Sequence, residues 1–71
     1  MQEFYSEIGE RIAKLRVQNG YSRAALATLL GISPKFLYEI ENGKKGFSVK
    51  ILYKIAKVFR VSADFLLTGQ E

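Results

Sequence analysis

The chain has 71 residues with no cysteine and no histidine, and its formal net charge at pH 7 is +4. A chain of this length forms one domain around one small core and buries only about 60% of its unfolded surface, so its packing must be good. Disulfides, Cys/His zinc sites and the common catalytic nucleophile–base pairs are excluded, because the residues that form them are missing.

The N-terminal segment is predicted to be helical and to belong to a cytoplasmic protein. It begins acidic, without the apolar run of a signal peptide, and no other stretch approaches the ~20 apolar residues of a membrane span. Ile8, Ile12 and Leu15 repeat at helical spacing, and Phe4 extends the same stripe. We therefore expect a first helix over about residues 5–18, with an apolar face that enters the core.

Two short helices separated by a sharp break are predicted in the middle of the chain, over residues 23–30 and 34–41. Gly31 lies in the break, where a tight turn requires a left-handed backbone that glycine adopts at low cost. Ser33 can cap the second of these helices, and Pro34 suits its first position because that position needs no backbone N–H. Leu26, Leu29 and Leu30 share one face of the first of these helices. Leu37 and Ile40 share one face of the second. This order is typical of a helix-turn-helix, whose second helix can lie in the major groove of DNA.

Two more helices are predicted in the last third of the chain. One covers about residues 49–59 after the capping residue Ser48, and a short one starts after Ser62. No apolar–polar alternation typical of a strand runs longer than three residues. The predicted fold class is therefore all-α, a compact five-helix bundle in which residues 1–71 form a single domain with a helix-turn-helix core at about 23–42.

The excess of basic residues over acidic ones is concentrated in one half of the chain. Six of them and no acidic residue lie between Gly43 and Ala63, namely Lys44, Lys45, Lys50, Lys54, Lys57 and Arg60. A basic surface on one side of a protein suits a polyanion such as DNA. The alternative for the lysines of the fourth helix is an ordinary solvated helix face.

Four sequence blocks together resemble the lambda-repressor-like family of DNA-binding domains, also called the Cro/cI or XRE family. The blocks are IGERIAKLRVQNGYS, LATLLGIS, YEIENGKK and LYKIAKVFRVSADFLL, and the resemblance covers about residues 8–67. It implies five helices, of which the third reads DNA bases, while the start of the second helix and the loop after the third hold phosphates. It also implies an ion pair between Arg16 of the first helix and Glu41 of the third.

Three residues depart from the pattern of that family. Arg23 stands where the family often has glutamine, so a hydrogen-bond donor is kept and a charge is added. Phe47 replaces a frequent proline in the loop after the third helix. Arg60 occupies a position where glycine commonly ends the fourth helix. Either the chain does not turn left-handed there, or Arg60 carries backbone strain.

Five residues of the third helix lie outside its apolar stripe and are predicted to read bases, namely Pro34, Lys35, Phe36, Tyr38 and Glu39. Lys35 can donate to guanine O6 and N7, and Glu39 can accept from cytosine N4 or orient a neighbouring side chain. Phe36 or Tyr38 could contact a thymine methyl group. The alternatives are a surface ion pair between Lys35 and Glu39 and packing of Phe36 against the second helix.

Phosphate contacts, which position a domain without reading the base sequence, are expected around the third helix. The candidates are Ser22 and Arg23 at the start of the second helix, Ser33 at the start of the third, and Asn42, Lys44 and Lys45 after it. The free N–H groups at a helix start point outward and attract anions. Lys45 could equally be a solvated loop charge.

The predicted function is sequence-specific binding of double-stranded DNA by a transcriptional regulator, with repression through operator occlusion. Because one helix-turn-helix reads only a few base pairs, we expect a homodimer, formed in solution or only on DNA, on a pseudo-palindromic operator with half-sites ~34 Å apart. Candidate dimer contacts are Phe65, Leu66 and Leu67, whose alternative place is the core. The alternative function is a protein-interaction module on the same fold, such as an antitoxin or an adaptor.

Enzymatic activity is not expected. Glu3, Glu7 and Glu10 repeat along the first helix as a solvated stripe and not as an acid–base pair, and no glycine-rich phosphate loop follows a strand. We therefore predict no catalytic residue, no metal, no cofactor and no membrane partner. The expected location is the cytoplasm, with the nucleoid when the protein is bound to DNA.

Overall fold

The computed structural model describes residues 2–70, which contain five α-helices and no strand. The helices are α1 (Gln2–Gln18), α2 (Arg23–Leu30), α3 (Pro34–Glu41), α4 (Val49–Phe59) and α5 (Ala63–Thr68). The all-α class and the predicted bounds of the second, third and fourth helices are confirmed. None of these helices has both the length and the apolar character that a bilayer crossing demands.

The first helix is longer than predicted. It begins at Gln2, whereas the apolar spacing placed its start near Tyr5. No proline or glycine lies between these two positions, so nothing stops the helix from extending. Glu3 in the first turn also favours the extension, because its carboxylate complements the positive end of the helix dipole.

Serine side chains fix where four of the helices begin. Each serine Oγ accepts a hydrogen bond from the backbone N–H three residues later, which satisfies a donor that the helix itself leaves free. The pairs are Ser22–Ala25 (3.0 Å), Ser33–Phe36 (3.0 Å), Ser48–Ile51 (3.2 Å) and Ser62–Phe65 (2.9 Å). The starts of α2 to α5 are therefore set by local sequence.

One hydrophobic core joins all five helices. Its buried members are Ile8 and Ile12 of α1, Leu26, Ala27 and Leu30 of α2, Leu37 and Ile40 of α3, Ile55 and Phe59 of α4, and Leu66 of α5. The half-buried ring of Tyr21 meets the ring of Phe59 edge-on, with the centroids 6.0 Å apart. Because Leu37 and Ile40 lie in this core, α3 turns its other flank outward.

Two residues that the helical spacing assigned to the apolar faces of α1 and α2 are exposed. Phe4 is 45% exposed and Leu29 is 51% exposed. Phe4 lies near the N-terminal end of α1, a full turn before the first residue of the core. On α2 the small Ala27 completes the buried face, so Leu29 points roughly 100° away from the centre of that face.

The backbones of α1 and α3 touch at Gly9. A Cβ atom built on Gly9 would overlap the carbonyl oxygen of Ile40 and would lie 2.6 Å from the carbonyl oxygen of Glu41. Only glycine leaves room for so close an approach. Gly9 therefore sets how closely the C-terminal end of α3 lies against α1.

The break between α2 and α3 is a tight turn at Gly31. Gly31 has a φ of 74°, and its N–H is directed to the carbonyl oxygens of Ala27 and Thr28 at the end of α2. The N–H of Ile32 donates to the carbonyl oxygen of Ala27 at 3.0 Å, which completes a left-handed helix end. Since α3 starts at Pro34, the middle of the chain has the helix-turn-helix geometry that its sequence predicted.

The end of α4 is strained at Arg60, which has a φ of 57° and a ψ of 43°. Among residues 2–70 it is the one non-glycine residue with a positive φ. The chain therefore does turn left-handed where the related family commonly has glycine, at a cost of roughly 1–2 kcal/mol. The N–H of Val61 donates to the carbonyl oxygen of Ala56 at 3.1 Å, so the turn leads directly from α4 into α5.

Candidate nucleic-acid interface

The outer flank of α3 is open to solvent. Lys35 is exposed, Tyr38 is 43% exposed, and Glu39 is half-buried. Pro34 is also exposed, at the first position of the helix. Four of the five residues predicted to read bases therefore reach the surface, while the buried Leu37 fixes the rotation of α3 about its own axis.

Phe36 differs from these four residues. Its ring is half-buried and packs against the hydrophobic core, to which the second helix contributes Leu26, Ala27 and Leu30. Most of its apolar surface is therefore used inside the protein. Only its remaining exposed surface is available to a thymine methyl group, so Tyr38 is the better placed aromatic residue on this flank.

Arg16 and Glu41 form a two-point ion pair behind α3. Arg16 Nε donates to Glu41 Oε2 at 2.7 Å, and Arg16 Nη2 donates to Glu41 Oε1 at 3.3 Å. The third nitrogen of this guanidinium, Nη1, donates to the carbonyl oxygen of Tyr21 at 3.1 Å. The Glu41 side chain is only 1% exposed, so the pair ties α1 to the C-terminal end of α3 away from water.

Arg23, at the first position of α2, shares the carboxylate of Glu41. Arg23 Nε donates to Glu41 Oε1 at 3.1 Å. The guanidinium of Arg23 also lies over the ring of Tyr38, with Cζ 5.3 Å from the ring centroid. Within residues 2–70 the structure shows no hydrogen-bond partner for its two terminal nitrogens. Sequence reasoning missed this link, because the two residues lie 18 positions apart.

A second cation meets the same aromatic ring. Lys44 Nζ lies 5.8 Å from the centroid of Tyr38, and the backbone N–H of Lys44 donates to the carbonyl oxygen of Glu39 at 2.8 Å. Cations near an aromatic face are attracted by its quadrupole. Tyr38 thus joins a cation from the start of α2 to one from the loop after α3. We call this set the α3 surface, which consists of Arg23, Lys35, Tyr38, Glu39 and Lys44.

The uncharged phosphate candidates use part of their hydrogen-bonding capacity inside the protein. Ser22 and Ser33 accept N–H bonds as helix caps, which leaves each hydroxyl hydrogen free to donate. Asn42 Nδ2 donates to the carbonyl oxygen of Tyr38 at 2.8 Å, which leaves a second amide hydrogen. All three residues are exposed, as is the charged candidate Lys45. Each can donate to a phosphate without losing its internal bond.

Comparison with known proteins identifies the family. A profile of the family HTH_3, described as helix-turn-helix, matches residues 12–66. The chain belongs to this helix-turn-helix family. The resemblance to lambda-repressor-like domains, inferred from four sequence blocks, is confirmed by this match.

The helix-turn-helix domain is similar to RamB, an HTH-type transcriptional regulator of Mycobacterium tuberculosis. The two sequences are 43% identical over 64 residues, which cover 90% of this chain and 14% of RamB. The chain therefore spans only a small part of the length of this relative, and the similarity is to one segment of it.

Solved structures share the fold of the helix-turn-helix domain. The P22 c2 repressor in complex with a synthetic operator is 28% identical and has a TM-score of 0.83, covering 89% of this chain and 96% of the repressor chain. SinR of Bacillus subtilis in complex with DNA is 38% identical and has a TM-score of 0.75, covering 84% of this chain and 97% of the SinR chain. These relatives are regulators and not enzymes, in agreement with the predicted class.

The three predicted dimer contacts lie in different environments. Leu66 is fully buried in the core, so its side chain is not available to a second chain. Phe65 and Leu67 are half-buried and keep part of their surface exposed. Apolar side chains with a larger exposed fraction lie on α4, where Val49 is 81% exposed and Tyr53 is 61% exposed. Sequence reasoning had not singled out these two residues.

The basic residues in the second half of the chain make different contacts. Lys54 Nζ donates to the carbonyl oxygen of Leu30 at 3.3 Å, so it caps the end of α2. Lys57 Nζ lies 5.8 Å from the centroid of the Tyr53 ring on α4. We call Val49, Lys50, Tyr53 and Lys57 the α4 surface. The basic residues therefore do not form one continuous stripe.

Proposed function

We propose that this chain binds double-stranded DNA in a sequence-specific manner, with α3 in the major groove, and that it regulates transcription as a repressor. The α3 surface carries the proposal, because an exposed polar helix flank lies beside two cations that both contact its central Tyr38. The major groove admits an α-helix, and phosphates line both of its edges. The P22 c2 repressor and SinR, which share the fold, are seen in complex with DNA.

Direct base contacts are proposed for the exposed side chains of α3. Lys35 donates to guanine O6 and N7, and Glu39 accepts from cytosine N4 or orients a neighbouring side chain. Tyr38 meets a thymine methyl group, with the exposed part of Phe36 and the ring of Pro34 as further apolar contacts. The exposure of Lys35 and Tyr38 supports these roles.

Phosphate contacts are proposed on both sides of these base-reading residues. Arg23, Lys44 and Lys45 supply charge, while Ser22, Ser33 and Asn42 supply hydrogen bonds. Each neutralised phosphate releases bound counterions, so the affinity must fall as the salt concentration rises. These contacts fix the register of α3 on the duplex and carry no sequence information by themselves.

Two copies of the chain are proposed to bind one pseudo-palindromic operator, since a single α3 reads only a few base pairs. Half-sites then lie about one turn of DNA, ~34 Å, apart. The exposed parts of Phe65 and Leu67, together with Val49 and Tyr53, offer apolar area for pairing, which we expect to be weak until DNA brings the copies together.

Repression is proposed to act by occlusion, because a dimer that fills the major groove across an operator blocks other proteins from the same DNA. The proposed place of action is the cytoplasm, with the nucleoid when the chain is bound. The P22 c2 repressor, seen on an operator, supports this mode.

The proposed function is tested by selecting bound sequences from a pool of random duplexes. We expect an enriched motif with two-fold symmetry, and a binding constant that falls steeply with salt concentration. Each phosphate contact contributes about −0.9 to the slope of log K against log salt. An absence of any enriched motif, together with a flat salt dependence, would contradict the proposal.

The α4 surface favours one alternative function. Its exposed Val49 and Tyr53 suit a protein partner, as in an interaction module such as an antitoxin or an adaptor. The two functions differ in their response to substitution. If the chain acts only through a protein partner, Lys35→Ala and Arg23→Ala leave its activity in cells intact, whereas a DNA-binding repressor loses activity with either change.

A further inference from the structure

We infer that Glu41 and Tyr38 are positioning residues for DNA binding, which together hold the guanidinium of Arg23 in the orientation that meets a phosphate. The inference rests on the proposed function, because its ligand is the phosphate backbone of DNA. It adds a structural role to that function, because Arg23 becomes a fixed bidentate hydrogen-bond donor and not merely one positive charge near the groove.

The guanidinium of Arg23 is held at two points. Its Nε donates to Glu41 Oε1 at 3.1 Å, and its Cζ lies 5.3 Å from the centroid of the Tyr38 ring. The first contact turns one edge of the group into the protein, and the second places the group over the Tyr38 ring. The edge that carries the two terminal nitrogens remains for an outside acceptor, and the side chain of Arg23 is 39% exposed.

Glu41 can act as an anchor because its own carboxylate is fixed. Arg16 bonds both of its oxygens, at 2.7 and 3.3 Å, and its side chain is 1% exposed. The carboxylate therefore does not follow Arg23 when that side chain moves. One carboxylate against two guanidiniums also leaves one net positive charge, so the attraction for a phosphate is kept.

Arg23 stands where the related family often has glutamine, and its guanidinium can serve two acceptors at once. A guanidinium is planar and carries five donors, so one edge can bond Glu41 while the opposite edge binds a phosphate at two points. Holding such a long side chain in place before binding reduces the conformational entropy that binding removes. A lysine has the same charge but only one nitrogen, which cannot serve both acceptors in this geometry.

Two charge-conserving substitutions test the inference on the duplex that selection identifies. Arg23→Lys is expected to lower the affinity roughly tenfold and to lower the magnitude of the salt slope by about one. Lys14→Arg is the control, because Lys14 is an exposed cation of α1 outside the α3 surface, and its affinity should stay within twofold of the native chain. An Arg23→Lys chain that also stays within twofold, with an unchanged salt slope, would overturn the inference.

A double substitution isolates the anchor. In a Glu41→Gln background, exchanging Arg23 for lysine should change the affinity less than twofold, because the orientation that distinguishes the two side chains is already lost. An exchange that still costs tenfold would show that Glu41 does not position Arg23. If Glu41→Gln is unfolded by circular dichroism, Tyr38→Leu takes its place in the same design, with the same expected and contradicting results.

A measurement without DNA separates this inference from the proposed function. In the free chain, NMR should show the Nε–H of Arg23 exchanging with water at least tenfold more slowly than in Tyr38→Leu, because the native group is held at two points. Fast exchange in the native chain would overturn the positioning role and leave the proposed function standing. Failure of the native chain to bind any selected duplex would overturn both.

Discussion

The α3 and α4 surfaces each combine an exposed tyrosine with a nearby cation, yet they are built differently. On α3, Tyr38 contacts Arg23, which is bonded to the buried carboxylate of Glu41. On α4, Tyr53 contacts Lys57 of the same helix, one turn away. The α3 contact is therefore anchored to the core of the bundle, whereas the α4 contact depends on two side chains of one helix. Anchoring, more than charge, distinguishes the candidate DNA interface.

The difference has an energetic consequence. A cation that is already fixed loses little side-chain entropy when it meets a phosphate, whereas a free lysine must be ordered at that moment. The phosphates of a duplex also stand at fixed positions, which favours fixed donors. The α3 surface therefore suits DNA, and the α4 surface suits an adaptable apolar contact such as a weak pairing of two chains.

The largest expected effect comes from removing the anchor. Glu41→Ala leaves the largely buried guanidinium of Arg16 without a counter-charge, and should lower the free energy of unfolding by about 3–5 kcal/mol. Glu39→Ala on the same helix is the matched control, and should change that free energy by no more than about 0.5 kcal/mol. Urea denaturation of both chains provides the measurement. Similar losses in the two variants would show that Glu41 is not a special anchor.

The close approach that holds α3 against α1 is tested next. Gly9→Ala should lower the free energy of unfolding by about 3 kcal/mol, because the new Cβ overlaps backbone carbonyl oxygens that cannot move alone. Gly46→Ala is the control, since the three atoms nearest its Cβ would all belong to the Tyr5 side chain, at 3.2 Å, and it should cost less than about 1 kcal/mol. Thermal unfolding compares them. Equal melting temperatures would contradict the contact at Gly9.

The third prediction distinguishes base reading from phosphate binding on the α3 surface. Lys35→Ala should cost roughly 1–3 kcal/mol of binding free energy and relax specificity at one base pair. Lys44→Ala should weaken all sequences alike and lower the magnitude of the salt slope by about one. Titrations of both variants with the selected duplex and single-base variants of it measure this. Identical profiles for the two would contradict the assigned roles.

The smallest effect is expected at the end of α4. Arg60→Gly should raise the free energy of unfolding by about 0.5–1 kcal/mol, because glycine removes the left-handed strain at the expense of some unfolded-state entropy. Lys57→Gly inside the same helix should lower it by about 1 kcal/mol. Denaturant titration measures whether each substitution raises or lowers the free energy of unfolding. A loss of stability in Arg60→Gly would mean that the side chain of Arg60 makes a contribution that outweighs its backbone strain.

Local signals made much of this fold predictable from the sequence. The starts of α2, α3 and α4 followed from Ser22, Ser33 and Ser48, because a cap acts within three residues of itself. The turn at Gly31 followed from the conformational freedom of one residue. The errors at Phe4 and Leu29 arise because a helical repeat shows which residues can share a face, but not how far along the helix that face is buried, as at Phe4, or how wide its buried part is, as at Leu29.

The parts of the candidate site that the sequence did not predict depend on contacts between distant segments. The bond from Arg23 to Glu41 requires the start of α2 to meet the end of α3, and no spacing pattern encodes that distance. Gly9 looks like a weak helix former in a sequence, although its position beside the buried Ile8 was a signal of close helix packing that could have been used. The base-reading role of Lys35 stays a prediction.

The most direct test of the central claim is to map which surface meets DNA. An isotope-labelled chain is titrated by NMR with a duplex that contains one selected half-site, so that pairing of two chains does not contribute. We expect the largest shifts at Arg23, over residues 34–39 and over residues 42–45, with Val49, Tyr53 and Lys57 unchanged. Shifts confined to the α4 surface, with α3 unaffected, would contradict the account.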